Sequence, residues 1–117
     1  MEDTTDSQNS QHIYRIDKFK VPSAARAEFI QKVLMTHRLL KTLPGFLGDS
    51  IYEQFEQMGG PGVFNFVTLV AWENVEVFKA ARQSVLAKQQ EVGFNPTEVF
   101  ARLGIEADLA NYTQIEA

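Results

Sequence analysis

The chain has 117 residues, a length suited to one domain, and 44% of them are apolar, including nine phenylalanines, so a core can form. Its formal net charge of -4, with no basic stripe, argues against nucleic-acid binding. Cysteine is absent, which excludes disulfides, thiolate metal ligands and a cysteine nucleophile; His12 and His37 lack HxxxH or HExxH spacing, so no metal site is expected.

The first ten residues, MEDTTDSQNS, are polar and read as a disordered tail rather than a signal peptide, leaving residues 11–117 as a single domain. Glu2, Asp3 and Asp6 supply three of the fifteen acidic residues, so the remainder lies near charge balance. No run is long and apolar enough to span a membrane, and a cytoplasmic location is expected.

His12 to Val21 reads as a first strand ended by Pro22, which holds Val21 extended and permits a helix beyond. Ser23 is the expected N-cap of a helix to about Lys41. Phe29, Val33, His37 and Leu40 share one face of it, widened by Ile30 and Leu34. Leu43-Pro44-Gly45-Phe46 stops the helix, and a second strand is expected from about Gly48 to Gln57. The turn-rich Met58-Gly59-Gly60-Pro61-Gly62 joins it, as an antiparallel hairpin, to the run VFNFVTLVAWEN at Val63–Asn74. The glycine cluster lacks the lysine and Ser/Thr of a phosphate loop and reads as a turn.

Asn74 caps a second helix on which Phe78, Ala81, Val85 and Val92 recur at helical spacing, with Gly93 as its stop. Asn95-Pro96-Thr97-Glu98 opens a short third helix to about Leu103. A last strand follows over roughly Leu109–Ile115, with Tyr112 and Ile115 as packing residues. The order β-α-β-β-α-(short α)-β predicts an α+β, ferredoxin-like sandwich with both crossover helices on one sheet face. The strand ending in Trp72 is apolar on both faces, so the open sheet face needs cover as well. Its expected cover is a second copy of the chain, giving a homodimer in which two sheets form a barrel.

The strand order, the Leu43-Pro44-Gly45-Phe46 turn and the hairpin ending in Trp72-Glu73 resemble the antibiotic biosynthesis monooxygenase family. So do Arg15-Ile16-Asp17-Lys18-Phe19, Thr36-His37, Gly93-Phe94-Asn95-Pro96 and Leu103-Gly104-Ile105, taken in this order. The resemblance spans about Ile13 to Tyr112. It implies a dimeric α+β barrel. Some members oxidise polyphenolic anthrones with O2 and without flavin, haem or metal, so no cofactor is expected. Others open haem, using an asparagine in the first strand and a histidine on the second helix. Here those places carry Asp17, Lys18 and Phe19 on the strand and Arg82 on the helix, a departure from the haem-opening pattern.

Cofactor-independent oxygenation requires an electron-rich substrate anion, because triplet O2 reacts slowly with closed-shell molecules. The protein must favour that anion and exclude water, for which aromatic walls and a few polar groups are sufficient. Trp72 is the first candidate, as ring wall and indole N–H donor; its structural alternative is a buried strand aromatic. His37 is the candidate base, against a hydrogen-bonded core histidine. Tyr14, Tyr52 and Asn65 are candidates to orient a substrate, Phe29 to line the pocket, and Arg82 to bind an anion. Packing, a hairpin contact and a solvated helix face are the respective alternatives. Arg15 and Asp17 share a strand face and read as a structural ion pair. The ligand expected is a small, flat, apolar phenolic or enolisable compound. A non-catalytic ligand-binding module of the same fold is the alternative, with haem degradation behind it.

Overall fold

The structure, a computed structural model, describes residues 11–116. The expected N-terminal tail lies outside the described residues. In chain order the elements are β1 (Ile13–Lys20), one 3-10 turn (Ser23–Ala25), α1 (Arg26–Leu40), β2 (Phe46–Glu53), β3 (Phe66–Trp72), α2 (Val75–Val92), α3 (Pro96–Leu103) and β4 (Glu106–Tyr112). The strands form one antiparallel sheet in the order β2-β3-β1-β4. This is the ferredoxin-like α+β arrangement, with α3 added before the last strand.

Alternation along β3 decides what each sheet face carries. Phe66, Thr68, Val70 and Trp72 are buried, and the intervening Val67, Leu69 and Ala71 are half-buried. In the paired register, Phe19, Asp17, Arg15 and Ile13 of β1 lie beside Phe66, Thr68, Val70 and Trp72, so these eight share the helix-covered face. Tyr14, Ile16 and Lys18 take the open face. The shortest dimension of the protein is 18 Å, room for a sheet and one helix layer.

The covered face holds two apolar clusters. One is Phe19, Val21, Ala25, Phe29, Phe66 and Ile105, with Phe29 set against Phe19 and Phe66 at ring separations of 5.0 Å. The other is Val70, Trp72, Phe78 and Ala81, with Phe46 edge-on to Trp72 at 5.9 Å.

Local sequence explains most boundaries. Asn74 accepts from the Val77 N–H at 3.0 Å, and α2 ends on left-handed Gly93. Asn95 accepts from the N–H groups of Thr97 and Glu98, with Pro96 in the first turn of α3. Gly45 has φ +83°, and a Cβ there would come within 2.4 Å of Val77. Its carbonyl accepts from the Glu73 N–H at 2.9 Å, which ties the Leu-Pro-Gly-Phe turn to the end of β3. Only glycine combines that backbone with that approach to α2.

Several expectations are corrected. Ser23 does not cap α1: Pro22 leads into the 3-10 turn, the Ala25 N–H reaches the Pro22 carbonyl, and α1 begins at Arg26 without a side-chain cap. β2 stops at Glu53 rather than Gln57, and β3 starts at Phe66 rather than Val63; the Asn65 backbone carries the bonding one residue further, accepting from the Gln54 N–H at 2.8 Å and donating to the Phe19 carbonyl at 2.9 Å, while its side chain turns to Val21. β4 begins at Glu106 and ends at Tyr112, and Ile115 and Tyr112 are exposed. Leu34 and Val92 are exposed too, each on the outer side of its helix.

Candidate functional site

The two clusters do not meet. Between them, under the helices, lies a cavity of about 560 Å³ lined by Trp72, Val70 and Thr68 of β3, Arg15 and Asp17 of β1, His37 of α1, and Phe78 and Arg82 of α2. A smaller lobe of about 220 Å³ continues toward Phe29, Phe100 and Ile105 and shares Arg15, Asp17, His37 and Thr68 with the first. The strand alternation that makes a core at both ends of the sheet therefore places charged and polar groups at its middle.

His37 is 6% exposed, and its Nδ1 lies 2.8 Å from Asp49 Oδ2. An ionised carboxylate only accepts, so Nδ1 carries the proton in that bond. Nε2 makes no hydrogen bond to the described residues and is not sealed from the cavity. Neutral His37 then presents a lone pair to the space beside Trp72, with Asp49 holding the ring. Lys41 Nζ lies 3.8 Å from the other Asp49 oxygen.

Arg15 Nε donates to Asp17 Oδ1. Burial pushes the Asp17 carboxyl above the ordinary carboxylate range, opposed by the Arg15 hydrogen bond and charge, the Ala110 backbone and His37. The remaining Arg15 nitrogens have no partner among the described residues, so the pair offers a donor and an acceptor side by side in the cavity.

The structure brings together Trp72, His37, Arg82 and, in the smaller lobe, Phe29. Arg82 is exposed at the edge of the cavity, its guanidinium 4.8 Å from the Phe78 ring centre. Tyr14 and Tyr52 stand on the open face, Tyr14 bonded to Gln114 at 3.2 Å. Asn65 clamps the Val21 backbone, accepting from its N–H at 2.8 Å and donating to its carbonyl at 2.9 Å. Among the described residues no cluster of His, Asp and Glu has the composition to hold a metal ion, and no helix is long and apolar enough to cross a membrane.

Sequence reasoning passed over Asp49 entirely and left Arg15–Asp17 as a structural pair. For the pair the signal was present: period-two spacing from Phe19 puts both residues on the core side. For Asp49 it was hidden. A register shift between Phe46 and Gly48 lets Phe46 and Asp49 face the same side, although simple alternation sets them on opposite faces.

Comparison with solved structures shows the same fold elsewhere. A candidate monooxygenase from Shewanella loihica is 18% identical with a TM-score of 0.69, covering 92% of this chain and 98% of that one. The cofactor-independent oxygenase SnoaB from Streptomyces nogalater is 19% identical with a TM-score of 0.66, covering 92% and 96%. The haem-degrading MhuD from Mycobacterium tuberculosis is 20% identical with a TM-score of 0.62, covering 90% and 97%. No curated protein matches the chain by sequence. At these identities the structural likenesses speak for the fold. A family model for antibiotic biosynthesis monooxygenase matches residues 12–90, and the chain belongs to that family.

Proposed function

We propose that the protein is a cofactor-independent monooxygenase of a small, flat, apolar phenolic or enolisable compound. The observation that carries this reading is the cavity in which Trp72, the free nitrogen of His37 and the Arg15–Asp17 pair meet between apolar walls. The Trp72 face covers the ring, and its indole N–H is the candidate donor to a ring oxygen. His37 Nε2 takes the acidic proton, and Asp49 stabilises the imidazolium that results. The substrate anion gives one electron to O2 and the two radicals combine. For an enolisable CH2 the balance closes without an external reductant: CH2 becomes C=O, one oxygen atom is retained, and the other leaves as water with the two hydrogens. Water exclusion by the walls protects the anion from reprotonation.

The open sheet face supports a homodimer in the same reading. Ile16, Val67, Leu69, Ala71 and Ala110 share that face, and Tyr14, Tyr52 and Tyr112 stand among them. Static light scattering at micromolar concentration tests it, and a monomer mass would sink it.

The direct trial of activity is oxygen uptake with a panel of anthrones and hydroquinones. His37→Ala is expected to lower turnover by about 10²- to 10⁴-fold, the usual worth of a placed general base. Unchanged turnover in both His37→Ala and Trp72→Phe rejects these roles, and inactivity across the panel favours a ligand-binding module. Haem degradation has less support, since α2 contains no histidine and Asp17 stands in the first strand.

A further inference from the structure

We propose that the smaller, phenylalanine-lined lobe is a subsite for an apolar substituent, and that the ligand is a phenol or enol carrying that substituent on the carbon next to its oxygen. The proposal rests on the reading above, in which the Trp72 lobe takes the ring.

The polar groups lie between the two lobes. Arg15, Asp17, Thr36, His37, Thr68 and Gln89 line both lobes and, with Pro96 and Leu109, form a mainly polar waist. Beyond the waist the smaller lobe is walled by Phe29, Val99, Phe100, Leu103 and Ile105, with Lys32 its remaining charged group. An apolar recess with few hydrogen-bond partners holds water poorly and accepts apolar groups readily. A ligand oxygen therefore finds its partners at the waist. With that oxygen at the waist and the ring beside Trp72, a substituent on the adjacent ring carbon points back across the waist into the recess. One on the opposite ring carbon points away, into the larger lobe on the side of Phe78 and Arg82. The site then reads the position of the substituent as well as its size.

Trp72 is the only tryptophan, so its fluorescence reports the larger lobe alone. The test is titration of the full chain with phenol, with ortho-alkylphenols from ortho-cresol to ortho-hexylphenol, and with their para isomers, checked by calorimetry. The ortho series is expected to bind about fourfold tighter per added methylene, the worth of a buried CH2, until the recess is full. The para series is expected to gain far less. Val99 is half-buried on α3 and lines only the smaller lobe, so Val99→Phe fills the recess without touching the ring site. It should leave phenol affinity unchanged and abolish the ortho gain; Val99→Leu, a smaller fill, should abolish part of it. Equal gains in the two series, a flat ortho series, or an ortho gain that survives Val99→Phe overturns the subsite while leaving the proposed function standing. Failure of every phenol to bind overturns the proposed function and the subsite together.

Discussion

The two faces of the sheet invert the usual arrangement. The helix-covered face carries Arg15, Asp17, Thr68 and Asp49 at its centre, and the open face carries Ile16, Val67, Leu69 and Ala71. Charges belong where water is, because burying them unpaired costs several kcal/mol. Here Arg15 and Asp17 form a half-buried ion pair, and the half-buried Asp49 carboxylate is held by the buried His37 ring, around a cavity that the helices leave unfilled. The aliphatic residues stand outside, with no helix or strand of the described residues over them. A covered face that tolerates charge reads as a site, and an open face whose middle is aliphatic, with Lys18 and Asp108 toward one end, reads as an interface.

Three substitutions break that comparison at different strengths. The largest effect is expected at the sealed end of the covered face. Phe29 is 1% exposed and touches two other phenylalanines, so Phe29→Ala should cost about 3–5 kcal/mol in urea unfolding. A cost under 1 kcal/mol would mean that this end is not packed as described. On the open face, Leu69→Lys should leave the monomer folded and abolish the dimer, since it sets an unpaired ammonium in the proposed interface. Unchanged light scattering would remove the open face as the contact. Between the faces, Asn65→Ala strips the buried Val21 backbone of both partners and is expected to cost about 1–3 kcal/mol without altering ligand binding. A binding defect in a folded Asn65→Ala protein would return Asn65 to the site.

How much of this was legible follows the range of the interaction. Asn74, Gly93 and Asn95 act within a few residues, and their roles show in sequence because a cap needs only its own first or last turn. Ser23 failed for the same reason in reverse: Pro22 imposed a 3-10 turn that sequence-local capping rules do not weigh. Trp72 and His37 were visible as residues out of place, a tryptophan closing an apolar strand and an imidazole on an apolar helix face. Their joining in one cavity was not visible, because it depends on the crossing of α1 over β2 and β3. Tyr14 and Tyr52 looked like substrate contacts until strand parity set them on the other face, and that parity is fixed only by pairing with β3.

The smallest effect sharpens the comparison most, because it asks which force governs the charges on the covered face. At Asp17, burial raises the carboxyl's pKa and Arg15 lowers it, with burial the larger. A carboxyl raised on folding holds its proton more readily in the native state than in the unfolded chain. Its contribution to stability is then fully present below the unfolded value, about pH 4, and is lost as pH rises through the native value. Glu28 and Glu53 behave oppositely: Arg102 and Arg26 hold them below their ordinary range, so their contribution is lost as pH falls. Whole-protein stability mixes these signs, and only the difference between wild type and Asp17→Asn isolates the buried group. Unpairing Arg15 adds a constant offset to that difference, so the slope is the informative quantity. From about pH 4 upward, wild type should lose stability relative to Asp17→Asn, measured by urea unfolding at each pH. The reverse slope would mean that Arg15 outweighs burial and that Asp17 stays ionised throughout. In that case the pair is a fixed dipole beside the substrate; with the expected slope, Asp17 is a carboxyl able to exchange a proton with whatever occupies the cavity.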